Sequence, residues 1–357
     1  MVNVGAREVN APLNIHAGHV DFYQFRDDGW IHFLARNSQE AYDFALIAQK
    51  VAEQASLPAF IIQDGFIVTH NKDMLNTLDD ERVREFVGEY EPEHSILKTG
   101  GTYNPVALQD FYSEHVRNAS EAQKAAAGII DAVFREFESI SGRGYQRINN
   151  YRTEDADVVV VTMGSTEGTA MDAVDDLRAE GIRAGLLALK VFRPFPTREL
   201  REALKDAGTV IVMDRANSHG TELTPLATEV QAAIQRRVLA LEYGRGGRNT
   251  PLQLVKDIYR LGLVLNQDLD GRGVRLVLAN PDTELRLMLE ELRALEGEAF
   301  LKEFTDHLVA GRLIDAFGPW EHIDVRESSK RRAIKQRILE KVCDECTREV
   351  GKVVALN

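Results

Sequence analysis

The feature that most restricts the fold lies between residues 158 and 241, where short apolar runs alternate with helical stretches. The runs occupy residues 158–161, 185–191, 210–213 and 238–241, and the stretches of helical spacing between them fall at 169–180, 197–207 and 225–237. Runs without polar alternation are strands buried on both faces. Joined by helices of about 10–15 residues, they build a parallel sheet with helices on either side. The predicted fold class is α/β. No self-similarity at the short period of a solenoid occurs.

Upstream, the same chemistry recurs in pieces. Asn37-Ser38-Gln39-Glu40 fits a capping box, with Asn37 as N-cap and Glu40 at the third helical position. Ala41, Phe44, Ala45, Ala48, Val51 and Ala52 follow at helical spacing, so residues 38–54 read as an amphipathic helix. After Leu57-Pro58 comes Ala59-Phe60-Ile61-Ile62, a run suited to the middle of a parallel sheet, ending at Asp64-Gly65. Ligands gather at the carboxyl ends of such strands. Residues 71–118 are polar and read as a long excursion over the surface of a neighbour. A helix is predicted over 120–141, with Ile129, Ile130, Val133, Phe134 and Phe137 on one side, stopped by Gly142-Arg143-Gly144. Beyond Leu265, residues 283–310 and 328–349 read as charged helices. The expected division is 1–118, 119–150 as a helical linker, 151–265, and a charged helical region at 266–357.

Composition narrows the function. A formal charge of −13 and a pI near 5.3 disfavour nucleic acid and anionic membrane as partners. No apolar run approaches the roughly 18 residues that cross a bilayer, and the first residues lack the apolar and basic character of a secretory signal. The two cysteines, Cys343 and Cys346, offer no disulfide framework. The cytoplasm is the expected compartment.

Few residues announce chemistry unaided. Gly164-Ser165-Thr166-Glu167-Gly168-Thr169 follows a buried strand and opens a helix, where backbone amides can hold an anion. It is neither a Walker motif nor a full GxGxxG, and a tight strand-to-helix turn is the plainer reading. Tyr243-Gly244-Arg245-Gly246-Gly247-Arg248 either brings arginines to a phosphate or carboxylate or forms an interface loop. His16, His19, His32 and His70 match no zinc spacing and read as satisfied polar histidines. Cys343-Asp344-Glu345-Cys346 is a lone CxxC, too small to hold a cluster, so ordinary thiols are expected. Ser329-Lys330-Arg331-Arg332 with Lys335 and Arg337 reads as a solvated helix face rather than a dock for an acidic ferredoxin-like protein.

A succession of motifs carries more. Ala6-Arg7-Glu8-Val9-Asn10-Ala11-Pro12-Leu13-Asn14-Ile15 leads into Arg26-Asp27-Asp28-Gly29-Trp30-Ile31, then Asn37-Ser38-Gln39-Glu40-Ala41-Tyr42-Asp43, Asp64-Gly65-Phe66 and Thr69-His70. Pro105-Val106-Ala107-Leu108, Tyr151-Arg152-Thr153-Glu154-Asp155-Ala156-Asp157 and Met163-Gly164-Ser165-Thr166 continue the series. Val191-Phe192-Arg193-Pro194-Phe195-Pro196, Asp214-Arg215 and Gly244-Arg245-Gly246-Gly247-Arg248 complete it. In this order the series resembles the alpha subunit, or first domain, of pyruvate and other 2-oxoacid:ferredoxin oxidoreductases.

The resemblance implies that residues 1–118 are part of a domain holding the aminopyrimidine of thiamine diphosphate, and that 151–265 resemble the C-terminal domain of transketolase. It implies oxidative decarboxylation of a 2-oxoacid, pyruvate by default, to acyl-coenzyme A and carbon dioxide. Thiamine diphosphate with magnesium is then shared with a beta-type chain, coenzyme A is a co-substrate, and iron–sulfur clusters sit on partner chains only. Gamma-type and ferredoxin-like subunits, or ferredoxin, complete the set of partners. Arg7 occupies the place of the family's arginine for the oxoacid carboxylate, which a planar charged fork suits. Arg26, Asp27, Asp64, Thr69 and His70 occupy loops near the family's active site or subunit contacts.

Against the family's pattern, the segment carrying a Tyr-Pro-x-Thr-Pro-like motif and the glutamate that protonates the pyrimidine does not occur here, and Ala17-Gly18-His19 stands where many members read Gly-Asp-His. The expectation is therefore an N-terminally truncated subunit. Its first sheet would lack strands to pair with Ile15 and residues 60–62; the expectation is that a separate chain completes it or that the reading frame begins upstream of Met1, with an inactive, decayed subunit as the third alternative. Alternatives are a transketolase-type or E1-type component without clusters and a non-catalytic scaffold.

Overall fold

A computed structural model describes residues 1–9, 13–92, 95, 97, 106–221, 223–265, 274–277 and 314–316. The chain opens with strands β1 (Val2–Glu8) and β2 (Asn14–Ala17), a short helix α1 (Val20–Tyr23), β3 (Ile31–Ala35), α2 (Ser38–Ala55) and β4 (Ala59–Asp64). Helices α3 (Asp80–Val87) and α4 (Tyr112–Ser141) lead to β5 (Ile148–Tyr151), β6 (Val158–Met163), α5 (Thr166–Ala179), β7 (Ala184–Leu189) and β8 (Val191–Arg193). Then come α6 (Thr197–Leu204), β9 (Thr209–Asp214), α7 (Pro225–Ile234), β10 (Leu239–Glu242) and α8 (Leu252–Leu265), with β11 (Val274–Val277) and β12 (Ile314–Ala316) last.

The strands form two sheets, ordered β2-β1-β4-β3-β8 and β12-β11-β10-β9-β6-β7-β5. In the first, β4 lies between β1 and β3, parallel to both, with Ala6 opposite Asp64 and Phe33 opposite Ile61. This corrects the expectation of an unpaired half-sheet: residues 60–62 are laddered on both sides by this chain's own strands. Both faces are covered as well. Ile61, Phe33, Val51, Phe134 and Phe137 fill a core between the sheet and the helices α2 and α4, while Phe60, Ile62 and Leu34 share a core with Val159, Val161, Met163 and Leu189 of the second sheet. The period of two along β4 sorts its side chains between these cores. The far face of the second sheet packs Val158, Val160, Ile211 and Met213 against α5 and α8.

Several boundaries move. The run at 185–191 is not one strand: β7 ends at Leu189 in the second sheet, and Val191 begins β8, which pairs antiparallel with β3 in the first. Lys190 is the crossing point. Residues 79–88 are not a bare excursion, because Phe86 is buried against Phe137 and the Tyr42 hydroxyl accepts the Leu78 N–H. Helix α4 begins at Tyr112 and packs on α2, so it is part of the first layer rather than a simple linker. Its first turns, with Tyr112 and Val116 exposed, and the preceding Val106 and Phe111 remain open to solvent in the isolated chain. The expected helical C-terminal region also contributes strand: β11 extends the second sheet parallel to β10, and β12 pairs antiparallel with β11. Residues 283–310, 328–349, Cys343 and Cys346 lie outside the described residues.

The Asn37 side chain caps α2 by accepting the Glu40 N–H at 2.9 Å. The reciprocal half of the box is displaced: Glu40 accepts the N–H of Arg36 instead of Asn37. The same carboxylate holds Lys190 at 2.6 Å, and Lys190 also bonds Glu167. With the half-buried Arg36 beside both glutamates, two positive and two negative groups join the two layers next to a cavity of about 520 Å³. Paired in this way, buried charges avoid the cost of an isolated one.

Candidate functional site

Strands β1, β3 and β4 run in the same direction, so their carboxyl ends form one edge of the first sheet. Arg7 lies at that edge, where the pairing of β1 with β2 shifts register between Arg7 and Glu8. Such a bulge re-aims side chains. Glu8 turns inward, 4% exposed, and Arg245 grips it with Nη2–Oε2 at 2.9 Å. Arg7 turns outward. The Arg7 N–H donates to Asp21 Oδ2 at 2.9 Å, while its guanidinium is exposed and ion-pairs with no carboxylate among the described residues.

Beside Arg7 the chain leaves β4 through a tight turn. The Gly65 N–H donates to the Ala6 carbonyl at 2.9 Å, and a side chain at Gly65 would meet that oxygen and Arg7 Cγ, each at 2.8 Å. The Asp64 carbonyl accepts the N–H of Val68 at 2.9 Å and of Thr69 at 3.4 Å. Phe66 is held at φ 64°, a left-handed conformation that costs a non-glycine residue of order 1 kcal/mol or more. Its N–H donates to Thr69 Oγ1, which lies 2.7 Å from His70 Nδ1. The Phe66 and His70 rings stack 4.3 Å apart at 6°, with His16 at 4.9 Å on the phenyl ring. The edge thus presents one arginine beside an exposed aromatic stack.

Behind this edge Asp64 is 1% exposed and reaches the second sheet. Its Oδ2 accepts the Ser165 N–H at 2.8 Å and the Ser165 hydroxyl at 2.5 Å, and stands 3.3 Å from Arg215 Nη1. Its Oδ1 is 3.0 Å from His19 Nε2. The other face of His19 meets Asp214, whose Oδ1 is 3.6 Å from Nδ1. That separation is beyond a good hydrogen bond, so Asp214 acts on the ring mainly as a charge. Burial alone would lower the pKa of His19, but the carboxylates of Asp214 and Asp64 outweigh it and raise the value to about 9. For Asp64, burial favours the neutral acid, yet the Arg215 charge, His19 and the Ser165 hydroxyl hold the carboxyl well below its usual range. Asp214 also accepts the Tyr23 hydroxyl at 3.1 Å and the Leu226 N–H at 2.9 Å.

In the second sheet the chain reverses strand order between β6 and β9, and an open α/β sheet takes ligands at that crevice. Here Asp64 and His19 of the first sheet fill it. The anion held by the Gly164-Ser165-Thr166 turn is the carboxylate of Asp64. The glycine-rich loop after β10 is likewise occupied: Arg245 bonds Glu8 and Glu242, and side chains at Gly246 and Gly247 would meet Asn14 and His16 within 3 Å.

The structure brings Arg7, Asp64, Thr69 and His70 to one edge. Arg26 and Asp27 precede β3 and sit at the opposite, amino edge of the sheet, where they meet Arg193 and Glu229. Of the histidines, His19 has its ionic partners, whereas neither ring nitrogen of buried His32 has a hydrogen-bond partner among the described residues and burial lowers its pKa to about 3. Reading the sequence missed His19, Asp214 and Arg215 as one group. The Asp214-Arg215 pair directly after a buried strand is the only local signal of it. Among the described residues no three His, Cys, Asp or Glu side chains are grouped to hold a metal, and no helix is long and apolar enough to cross a membrane.

Two mainly parallel sheets that carry helices and share one core make this an α/β protein with its candidate site at the carboxyl edge of the first sheet. Residues 1–135 match the family model described as pyruvate flavodoxin/ferredoxin oxidoreductase, thiamine diphosphate-binding, and residues 156–255 match pyruvate:ferredoxin oxidoreductase core domain II. The chain is 40% identical over 252 residues to pyruvate synthase subunit PorA of Thermotoga maritima, covering 68% of this chain and 64% of the relative. It is 36% identical over 270 residues to ketoisovalerate oxidoreductase subunit VorA of Pyrococcus horikoshii, covering 72% and 67%. A 2-oxoglutarate:ferredoxin oxidoreductase from Magnetococcus marinus, solved with 2-oxoglutarate, coenzyme A and succinyl-CoA, shares the fold at a TM-score of 0.54 and 15% identity, over 73% of this chain and 48% of that one. The chain belongs to the pyruvate:ferredoxin oxidoreductase family and is of its alpha-subunit type. It spans about two thirds of the length of these curated relatives.

Proposed function

We propose that this chain is one wall of the active site in a complex that oxidatively decarboxylates a 2-oxoacid to acyl-coenzyme A and carbon dioxide. Pyruvate is the default substrate, and relatives named for pyruvate and for ketoisovalerate leave a branched 2-oxoacid as the alternative. The observation that carries the reading is Arg7: an exposed guanidinium without an ion-pair partner among the described residues, at the carboxyl edge of a parallel sheet, in a chain of this family. A guanidinium fork binds a carboxylate bidentately, and the buried seam behind it fixes the strand that carries it.

Among the described residues, what this chain offers to thiamine diphosphate is a surface. Glu8, Asp64, Asp214 and Glu242, the buried carboxylates nearest the edge, are all engaged by Arg245, His19, Arg215 or Tyr23. None of them is available as the acid that must sit on a pyrimidine ring, and among the described residues no three His, Cys, Asp or Glu side chains are grouped to hold magnesium. When bound between chains, the cofactor supplies a carbanion equivalent for attack on the oxoacid carbonyl. In this reading Arg7 orients the substrate carboxylate, the Phe66–His70 stack excludes water from one side, and a beta-type chain contributes the acid, the diphosphate grip and magnesium. Gamma-type and ferredoxin-like subunits, or ferredoxin, carry the iron–sulfur clusters, coenzyme A takes the acyl group, and the assembly works in the cytoplasm.

The test is Arg7→Ala in the assembled complex. Loss of a charge-assisted pair is worth roughly 1.5–3 kcal/mol, so KM for the 2-oxoacid should rise about 10- to 100-fold, with Arg7→Lys recovering part of it. Unchanged kinetics with native assembly would instead favour a scaffold subunit, and a complex that turns over without iron or sulfide would favour a cluster-free E1-type component.

A further inference from the structure

We propose that Asp64 is a positioning residue that ties the substrate edge of the first sheet to the second sheet, so that Arg7 is held in register only while the two sheets are locked. This rests on the reading of Arg7 as the carboxylate-binding group.

The argument starts from the division of labour within one residue. The side chain of Asp64 belongs to the second sheet, because Ser165 donates twice to Oδ2, with Arg215 on the same oxygen and His19 on Oδ1. Its main chain belongs to the edge, because its carbonyl closes the turn through the N–H groups of Val68 and Thr69. The next residue, Gly65, bonds the Ala6 carbonyl and lies under the Arg7 side chain with no room for a Cβ. His19 repeats the link from the other side: its N–H donates to the Arg215 carbonyl at 3.0 Å, and two residues later Asp21 accepts the N–H of Arg7. Both neighbours that fix the Arg7 backbone therefore hang from the same buried group, and Phe66 keeps its left-handed φ inside the same turn.

The approach of the turn around Gly164 confirms how little slack exists. With φ 70°, Gly164 leaves a space in which an added Cβ would meet Asp64 Oδ2 at 2.8 Å. A carboxylate on one sheet and a glycine turn on the other close on each other without an intervening side chain. Asn at position 64 keeps the shape and one acceptor but loses the charge that Arg215 and His19 answer.

The experiment is a double-mutant cycle of Asp64→Asn and Arg7→Ala in the assembled complex, combined with amide hydrogen exchange on the full chain. Asp64→Asn alone should raise KM for the 2-oxoacid about tenfold with a smaller change in kcat. In the Arg7→Ala background it should change KM less than twofold, since the group it positions is gone. The amides of Val68 and Thr69 should exchange at least tenfold faster in Asp64→Asn, while those of β9 retain their protection. Ser165→Ala should move the same amides in the same direction by less. Equal effects of Asp64→Asn in both Arg7 backgrounds, or unchanged exchange at Val68 and Thr69, would overturn the inference alone. If Arg7→Ala itself left KM unchanged, the substrate reading would fall and take the inference with it.

Discussion

At the scale of single residues, the weight falls on a histidine between two aspartates. His19 is buried and its pKa lies near 9 rather than 6.5, so folding stability from its charge is complete below pH 6.5 and is lost as pH rises toward 9. Asp64 works in the opposite sense. Its depressed pKa gives stability that is complete above the ordinary value of 3.8 and lost only in stronger acid. Both contributions are full between about pH 4 and 6.5, and the alkaline limb belongs to His19. A shift of this size is worth up to roughly 3 kcal/mol. His19→Gln should therefore lower stability at pH 6 by about 3 kcal/mol and flatten its decline between pH 6.5 and 9, followed by urea midpoints across that range. A variant with the wild-type alkaline slope would show that another group titrates there. The pairing was not legible in the sequence, because Glu8 and Arg245, like His19 and Asp214, meet only when two sheets have folded face to face. A list of histidines with no zinc spacing cannot distinguish His19, ion-paired twice, from His32, which has no hydrogen-bond partner at either nitrogen among the described residues.

Secondary-structure elements were far easier to read, for a local reason. Apolar runs at 158–161, 210–213 and 238–241 sit within β6, β9 and the last strand of the repeat to within a few residues, since periodicity and turn chemistry are properties of neighbours in sequence. The run at 185–191 misled because Gly-Leu-Leu-Ala-Leu-Lys-Val is continuously apolar apart from one lysine, and that lysine is where the chain changes sheets. Only the tertiary partners Glu40 and Glu167 reveal it. The turn after β6 shows the same limit: the sequence marks a tight strand-to-helix junction but not what it clasps. Gly164→Ala adds a Cβ at positive φ against the Asp64 carboxylate. We expect a loss of about 2–3 kcal/mol in chemical denaturation, part from the backbone and part from displacing Asp64. A change below about 0.5 kcal/mol would mean that the turn relaxes and that the clasp is looser than its distances imply.

For the molecule as a whole, the question is whether two sheets make two units or one. The sequence suggested a boundary near residue 150, and the strand repeat after it supports a domain of its own. Yet β8, from the second half, closes the first sheet against β3, and Phe60, Ile62 and Leu34 share one core with Val159, Val161 and Met163. Three buried ion groups then cross the same seam: Asp64 with His19, Arg215 and Asp214; Glu40 with Lys190 and Glu167; and Glu8 with Arg245 and Glu242. Opening either sheet alone would strand charges and expose that apolar face together, which costs more than either loss separately. The full chain should therefore unfold with one midpoint: in urea, exchange protection of β3 amides in the first sheet and β9 amides in the second should collapse at the same concentration. Separate midpoints more than about 0.5 M apart would show that the sheets are independent and that their contact is a docking surface rather than a shared core. The result bears on function, because an edge that presents Arg7 from a rigid two-sheet body needs no rearrangement to meet its partner, whereas one on a loosely attached layer must be ordered when the complex assembles.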